Sequence, residues 1–146
     1  MELKQVKEIR FFKWIGAYSI DRDNPRSSMH TMQYTLDVLK TPKSSVYLYP
    51  QGKIESPHSP IKSEGGLGWL AKNLPDNADL VPGSILMHTY KSDKPTLLIS
   101  IGEPLSFDKS ESRKSITASC ENKLDNKFSQ LVDDSRELPE SFKKIM

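Results

Sequence analysis

The apolar positions among the first fourteen residues fall on two sides of a helix. Leu3, Phe11 and Trp14 share one side, and Val6, Ile9 and Phe12 share another, with Lys4, Lys7, Arg10 and Lys13 between them. A surface helix ordinarily carries one apolar stripe. The pattern therefore predicts a helix over residues 2–14 whose second face is covered by another segment, a partner or a lipid surface. Gly16 is positioned to end it.

The next stretch, AYSIDR at 17–22, reads as short and β-like. Asp23 or Asn24 then offers an N-cap and Pro25 the first helical turn. A helix follows to about Lys40, with Met29, Met32, Leu36 and Leu39 on one face, and Thr41-Pro42 breaks it. Val46-Tyr47-Leu48-Tyr49 is a continuous apolar run, the signature of a parallel strand buried on both faces. A long loop, 50–66, leads to a short helix in LGWLAKNL. Strands are predicted at Ser84–Thr89 and Thr96–Ile101, separated by the turn signal KSDKP.

From Ser110 to Val132 the period is helical: Ile116, Cys120, Leu124, Phe128 and Leu131 share a face. Asp108 and Glu111 resemble a capping box at its start. Strands and helices thus alternate through the first hundred residues. That order predicts an α/β fold, a mixed, largely parallel sheet with crossover helices. It is read as one domain over residues 1–135 with a C-terminal tail at 136–146. In such sheets ligands sit beyond the carboxyl ends of strands, which directs attention to the loop after Tyr49.

Composition narrows the function classes. The chain has 146 residues and 36% hydrophobic content, enough for one core. No apolar run approaches the roughly 18 residues of a membrane span. The start carries charge throughout and lacks a small-residue cleavage site, so no secretory leader is expected. One cysteine, Cys120, excludes an intramolecular disulfide and suits a reducing, cytoplasmic compartment. No Cys/His cluster has metal-ligand spacing, and no metal is expected. Residues 1–73 carry 11 Lys/Arg against 7 Asp/Glu, and residues 74–146 carry 10 against 12. A mildly basic first half suits a phosphate-bearing ligand or an anionic surface, while a nucleic-acid partner would call for a concentrated basic stripe. Neither a Gly-x-Ser-x-Gly elbow nor a phosphate loop is present; Gly65-Gly66-Leu67-Gly68 lacks the lysine and hydroxyl that follow in one.

Three short stretches in order carry a resemblance. GAYSIDR places Arg22 after a β-like run, YPQG places Gln51 and Gly52 after the next, and LVPGSI follows later. Their order and spacing resemble the phospholipid and glycerol acyltransferase family, of the lysophosphatidic acid acyltransferase type, over about residues 3–106. The resemblance implies a phosphate-binding role for Arg22, whose planar fork can pair two phosphate oxygens. Read from the residues alone, pairing of Arg22 with a surface carboxylate such as Asp21 or Asp23 is the favoured reading. Tyr49-Pro50-Gln51-Gly52 resembles the family's Phe-Pro-Glu-Gly. There Pro50 would fix the exit from the sheet and Gly52 would let backbone approach a ligand. Gln51 stands for the glutamate, Lys53 for the threonine, Ile54 for the arginine and Glu55 for the serine, which resembles a PQG subgroup. These departures favour a glycosylated or other hydroxyl-bearing lipid, with Lys53 or Lys62 as substitute charges. Val81-Pro82 resembles the block that leads a strand lining the acyl site.

The family's catalytic block, His-x-x-x-x-Asp, supplies a general base and the carboxylate that orients it. No histidine precedes Gly16. His88 to Asp93 has the spacing but runs off a strand into a turn. His30 reads as a solvated residue and His58 as a loop residue near the PQG turn. The chain is thus expected to be an acyltransferase-like domain truncated at its N-terminus, without catalytic residues of its own and inactive alone. The resemblance implies substrate-binding roles for Arg22, Pro50, Gln51, Gly52, Lys53, Val81 and Pro82. It implies no cofactor, an acyl-CoA or acyl-carrier protein as donor, and a lipid acceptor. The domain would sit peripherally on the inner face of the membrane, or act there as a non-catalytic lipid-binding module. Loss of a strand from the sheet would expose an edge and an apolar face, so self-association is expected, with Val6, Ile9 and Phe12 as a candidate surface.

Overall fold

A computed structural model describes residues 10–21, 24–52, 59–89 and 94–137, together with positions 140, 142 and 143. Its contacts divide the chain into two compact units, residues 1–78 and 79–146.

In the first unit, α1 spans Arg10–Trp14. The rest of the helix expected over 2–14 lies outside the described residues. Gly16 closes α1 with φ +76°. The Ala17 N–H donates to the Phe12 carbonyl at 2.8 Å, the long-range bond of a Schellman stop. Helix α2 spans Pro25–Leu39, and Asn24 is its cap: the side chain accepts from the Ser27 N–H at 3.1 Å while Pro25 occupies the first turn. Helix α3 spans Gly66–Lys72. Met32 and Leu36 of α2 and Leu70 of α3 form the core, flanked by Ile20 and Trp69. Each such buried side chain contributes about 1.5–3 kcal/mol. Met29, expected on the buried face, is 49% exposed, because α3 covers α2 only around Met32 and Leu36.

The second unit begins with β1, Gly83–His88, and β2, Thr96–Ile101, an antiparallel pair. Helix α4, Arg113–Glu137, packs on both strands. Ile116, Cys120 and Leu131 of α4 are buried, and Leu124 and Phe128 are half-buried, as the helical period predicts. The expected capping box does not form in that register. Asp108 accepts from the Ser110 N–H at 2.8 Å in the preceding turn, and Ser112 caps the helix by accepting from the Ser115 N–H at 3.1 Å.

The largely parallel α/β sheet with crossover helices is overturned. Among the described residues the sheet has two strands, and they are antiparallel. Val46–Tyr49 is irregular, with Tyr47 89% and Tyr49 73% exposed, and residues 17–21 form no strand either. An apolar run becomes a strand only where a neighbouring backbone supplies the ladder. Among the described residues no strand pairs with Val46–Tyr49, and α2 and α3 pack on each other.

Candidate functional site

Gly83↔Ile101, Ile85↔Ile99 and Met87↔Leu97 are cross-strand pairs of the β1–β2 ribbon. Side chains alternate between faces along a strand, so these three pairs share one face. Ser84, Leu86 and Leu98 lie on the other, the face toward α4, where Ser84 and Leu98 are buried. Beyond the open end of the ribbon the ladder continues in loops. The Gly102 N–H donates to the Pro82 carbonyl and the Leu105 N–H to the Leu80 carbonyl, both at 2.8 Å. These bonds tie the segment before β1 to the segment after β2.

That tied wall bounds a cleft of about 370 Å³ whose opposite side is α4. Pro82, Gly102, Pro104 and Leu105 form the loop side, and Glu103 and Ser106 add polar groups. From α4 come Lys123, Asn126, Lys127 and Gln130, spaced to lie on one flank of the helix. Lys123 and Lys127 are a like-charge pair at i, i+4, an arrangement that weakens a helix by a few tenths of a kcal/mol. An anion held there would offset that repulsion. The carboxamides of Asn126 and Gln130 each offer donors and an acceptor. Two ammonium groups, two amides and one carboxylate suit a ligand with an anionic group and hydroxyls. Among the described residues the lining contains no histidine or cysteine.

The residues expected from sequence fall in both units. Pro50, Gln51 and Gly52 are half-buried and share a turn in the first unit. The Gly52 N–H donates to the Tyr49 carbonyl at 3.1 Å, and Gly52 has φ +63°. That left-handed backbone is one glycine adopts without strain. The Glu64 N–H donates to the Pro50 carbonyl at 2.9 Å, pinning the far end of the loop against the turn. The glycine-bearing turn expected here is present, although no strand feeds it. Arg22 and Lys53 lie outside the described residues. Val81 is 42% exposed and Pro82 is buried at the entry to β1 in the second unit. Among the described residues expected from sequence, Pro82 lines the cleft.

His88 ends β1, half-buried, while Asp93 and His58 lie outside the described residues; His30 is exposed on α2. Among the described residues there is no cluster of metal-ligating side chains, and no helix is long and apolar enough to cross a membrane. Lys123, Asn126, Lys127 and Gln130 were not singled out from sequence. Their signal is a polar stripe at i, i+3, i+4 and i+7 beside the buried face of α4.

No family model matches the chain, and no curated protein or solved structure is significantly similar to it.

Proposed function

We propose that the chain is a lipid-binding domain of acyltransferase type that recognises an anionic, hydroxyl-bearing lipid headgroup at a membrane surface and does not transfer acyl groups by itself. The observation that carries this reading is the cleft behind Pro82, with Lys123 and Lys127 on α4 facing the wall that Val81-Pro82 leads into. The ordered resemblance of Arg22, Pro50-Gln51-Gly52 and Val81-Pro82 to the acyltransferase blocks supports the lipid class. It rests on the order and spacing of these residues, not on a parallel sheet. Glu103 and the two amides suit headgroup hydroxyls, and the lysines suit a phosphate as flexible point charges. Catalysis is not assigned because His30 is a solvent-facing residue and His88 runs into the β1–β2 turn. A general base typically supplies about 10²–10⁴-fold.

The test is co-sedimentation with vesicles of phosphatidylcholine alone and with added phosphatidic or lysophosphatidic acid. Each basic residue near an anionic surface contributes about 1 kcal/mol, so Lys123→Ala with Lys127→Ala should weaken binding to the anionic vesicles by roughly 30-fold. Binding to phosphatidylcholine should be unchanged. Binding to anionic vesicles that survives the double substitution would overturn the cleft as the site. Acyl transfer to lysophosphatidic acid by the chain alone, abolished by His88→Ala, would overturn the non-catalytic reading.

A further inference from the structure

The outer face of the β1–β2 ribbon has no work in the cleft. Ile85 is 52% exposed, Met87 68%, Leu97 54%, Ile99 49% and Ile101 73%. With Val81 at its end, the face presents on the order of 600 Å² of aliphatic side chain, the upper end of what a soluble monomer leaves open. Every position of that face between Gly83 and Ile101 is uncharged. Charged residues lie beyond its ends in sequence: Asp79 and Glu103 at one, and Lys91, Asp93 and Lys94 at the other.

We infer that this face is the interface of a two-fold symmetric dimer, its occupant being the same face of a second copy stacked head to tail. Three observations select that partner. The first is charge. Every position of the face is uncharged, so a two-fold axis through the central Ile85↔Ile99 pair, which lays the hairpin end of one ribbon over the open end of the other, buries no charge.

The second is shape. The same axis places the Met87↔Leu97 pair of one copy over the Gly83↔Ile101 pair of the other. A Cβ added at Gly83 would meet only the Ser100 carbonyl oxygen, at 4.0 Å. Gly83 therefore leaves a notch beside the projecting Ile101, and a large side chain from the partner fills it. Facing layers that alternate large and small residues interdigitate at native density. The third is area. Two such faces remove on the order of 1,200 Å², the lower bound for a specific, stable interface, and an isologous contact needs only a self-complementary patch. The inference does not rest on the lipid reading, because the cleft lies on the α4 side of the ribbon.

Sedimentation velocity of the full chain, without lipid, tests this. The expected species has twice the 16.6 kDa mass of the chain. Ile99 sits beside the proposed axis, so Ile99→Lys and Ile99→Glu should each be monomeric, and an equimolar mixture of the two should recover the dimer. Circular dichroism checks that each variant is folded. Should they not fold, Ile99→Cys provides a second reading: mild oxidation should cross-link it across the axis, whereas Ser84→Cys, on the α4 face, should not cross-link. A monomeric parent chain overturns the inference, as does a dimer that is indifferent to both Ile99 charges and forms no cross-link in the Ile99→Cys variant. A chain that is monomeric in buffer and binds neutral vesicles through Ile99 overturns it in favour of a lipid surface.

Discussion

The Tyr18 hydroxyl lies 2.8 Å from the Thr35 hydroxyl, joining the segment before α2 to the middle of that helix. Thr35 is 4% exposed and also donates to the Thr31 carbonyl at 3.0 Å. The Tyr18 ring meets Tyr34 edge-on, with centroids 5.3 Å apart and planes at 87°. Tyr18→Phe keeps the ring contact and removes the hydroxyl, while Thr35 keeps its bond to Thr31. The expected cost is about 1 kcal/mol, the net value of one hydrogen bond. The two tryptophans, Trp14 and Trp69, both lie in the first unit, so tryptophan fluorescence during urea unfolding reads this change. An unshifted midpoint would show that the bond contributes nothing net.

Asn24 is the next test of that unit. Its carboxamide satisfies the Ser27 N–H at the start of α2. Asn24→Ala leaves that donor to water and should destabilise the first unit by about 0.5–2 kcal/mol, whereas Asn24→Asp should be nearly neutral or slightly stabilising, since it keeps the acceptor and adds charge at a helix N-terminus. Equal effects of the two substitutions would mean that Asn24 does not act as a cap.

Gly102 is constrained by its neighbour, not by its backbone angle. A Cβ there would stand 2.9 Å from Pro82 Cγ and 3.4 Å from the Pro82 carbonyl oxygen. Gly102→Ala must push the proline ring aside and strain the bond from its own N–H to Pro82. Overpacking of this kind typically costs about 1–3 kcal/mol. Pro82→Ala removes the clashing atom, so the double variant should be more stable than the sum of the single effects implies. Far-ultraviolet dichroism, dominated in the second unit by α4, follows this. Strict additivity would place the strain elsewhere.

Cys120 carries a pH prediction. It is 2% exposed on the buried face of α4. Burial, and secondarily the neighbouring Glu121 carboxylate, push its thiol above the ordinary 9.0. The folded chain therefore holds the proton more tightly than the unfolded chain does. The resulting stability is complete below pH 9 and is lost as pH rises through the folded value. The unfolding midpoint should fall more steeply above pH 9 in the parent than in Cys120→Ala. Alkylation at neutral pH should be slow in the native state and fast in urea. Parallel pH profiles for the two chains would remove Cys120 as the source.

Local chemistry was legible in the sequence because it is set within a few residues. Asn24-Pro25 starts α2, Gly16 stops α1, and the period of Ile116, Cys120, Leu124, Phe128 and Leu131 fixes the buried face of α4. Both strands of the ribbon were readable from apolar runs interrupted by KSDKP. The turn at Pro50-Gln51-Gly52 followed from proline and glycine geometry alone.

Pairing was not legible. Val46–Tyr49 has the composition of a buried parallel strand, yet a strand exists only where a second backbone accepts and donates its hydrogen bonds. The sequence of one segment does not state whether a partner is present. The structure alone decided that the ribbon is antiparallel and that α4 covers one face of it. The same packing left Ile85, Met87, Leu97, Ile99 and Ile101 open and set Lys123 and Lys127 across a cleft from Pro82. Each of these depends on contacts between residues far apart in the chain, where backbone pairing and the burial of one face against another outweigh local preference.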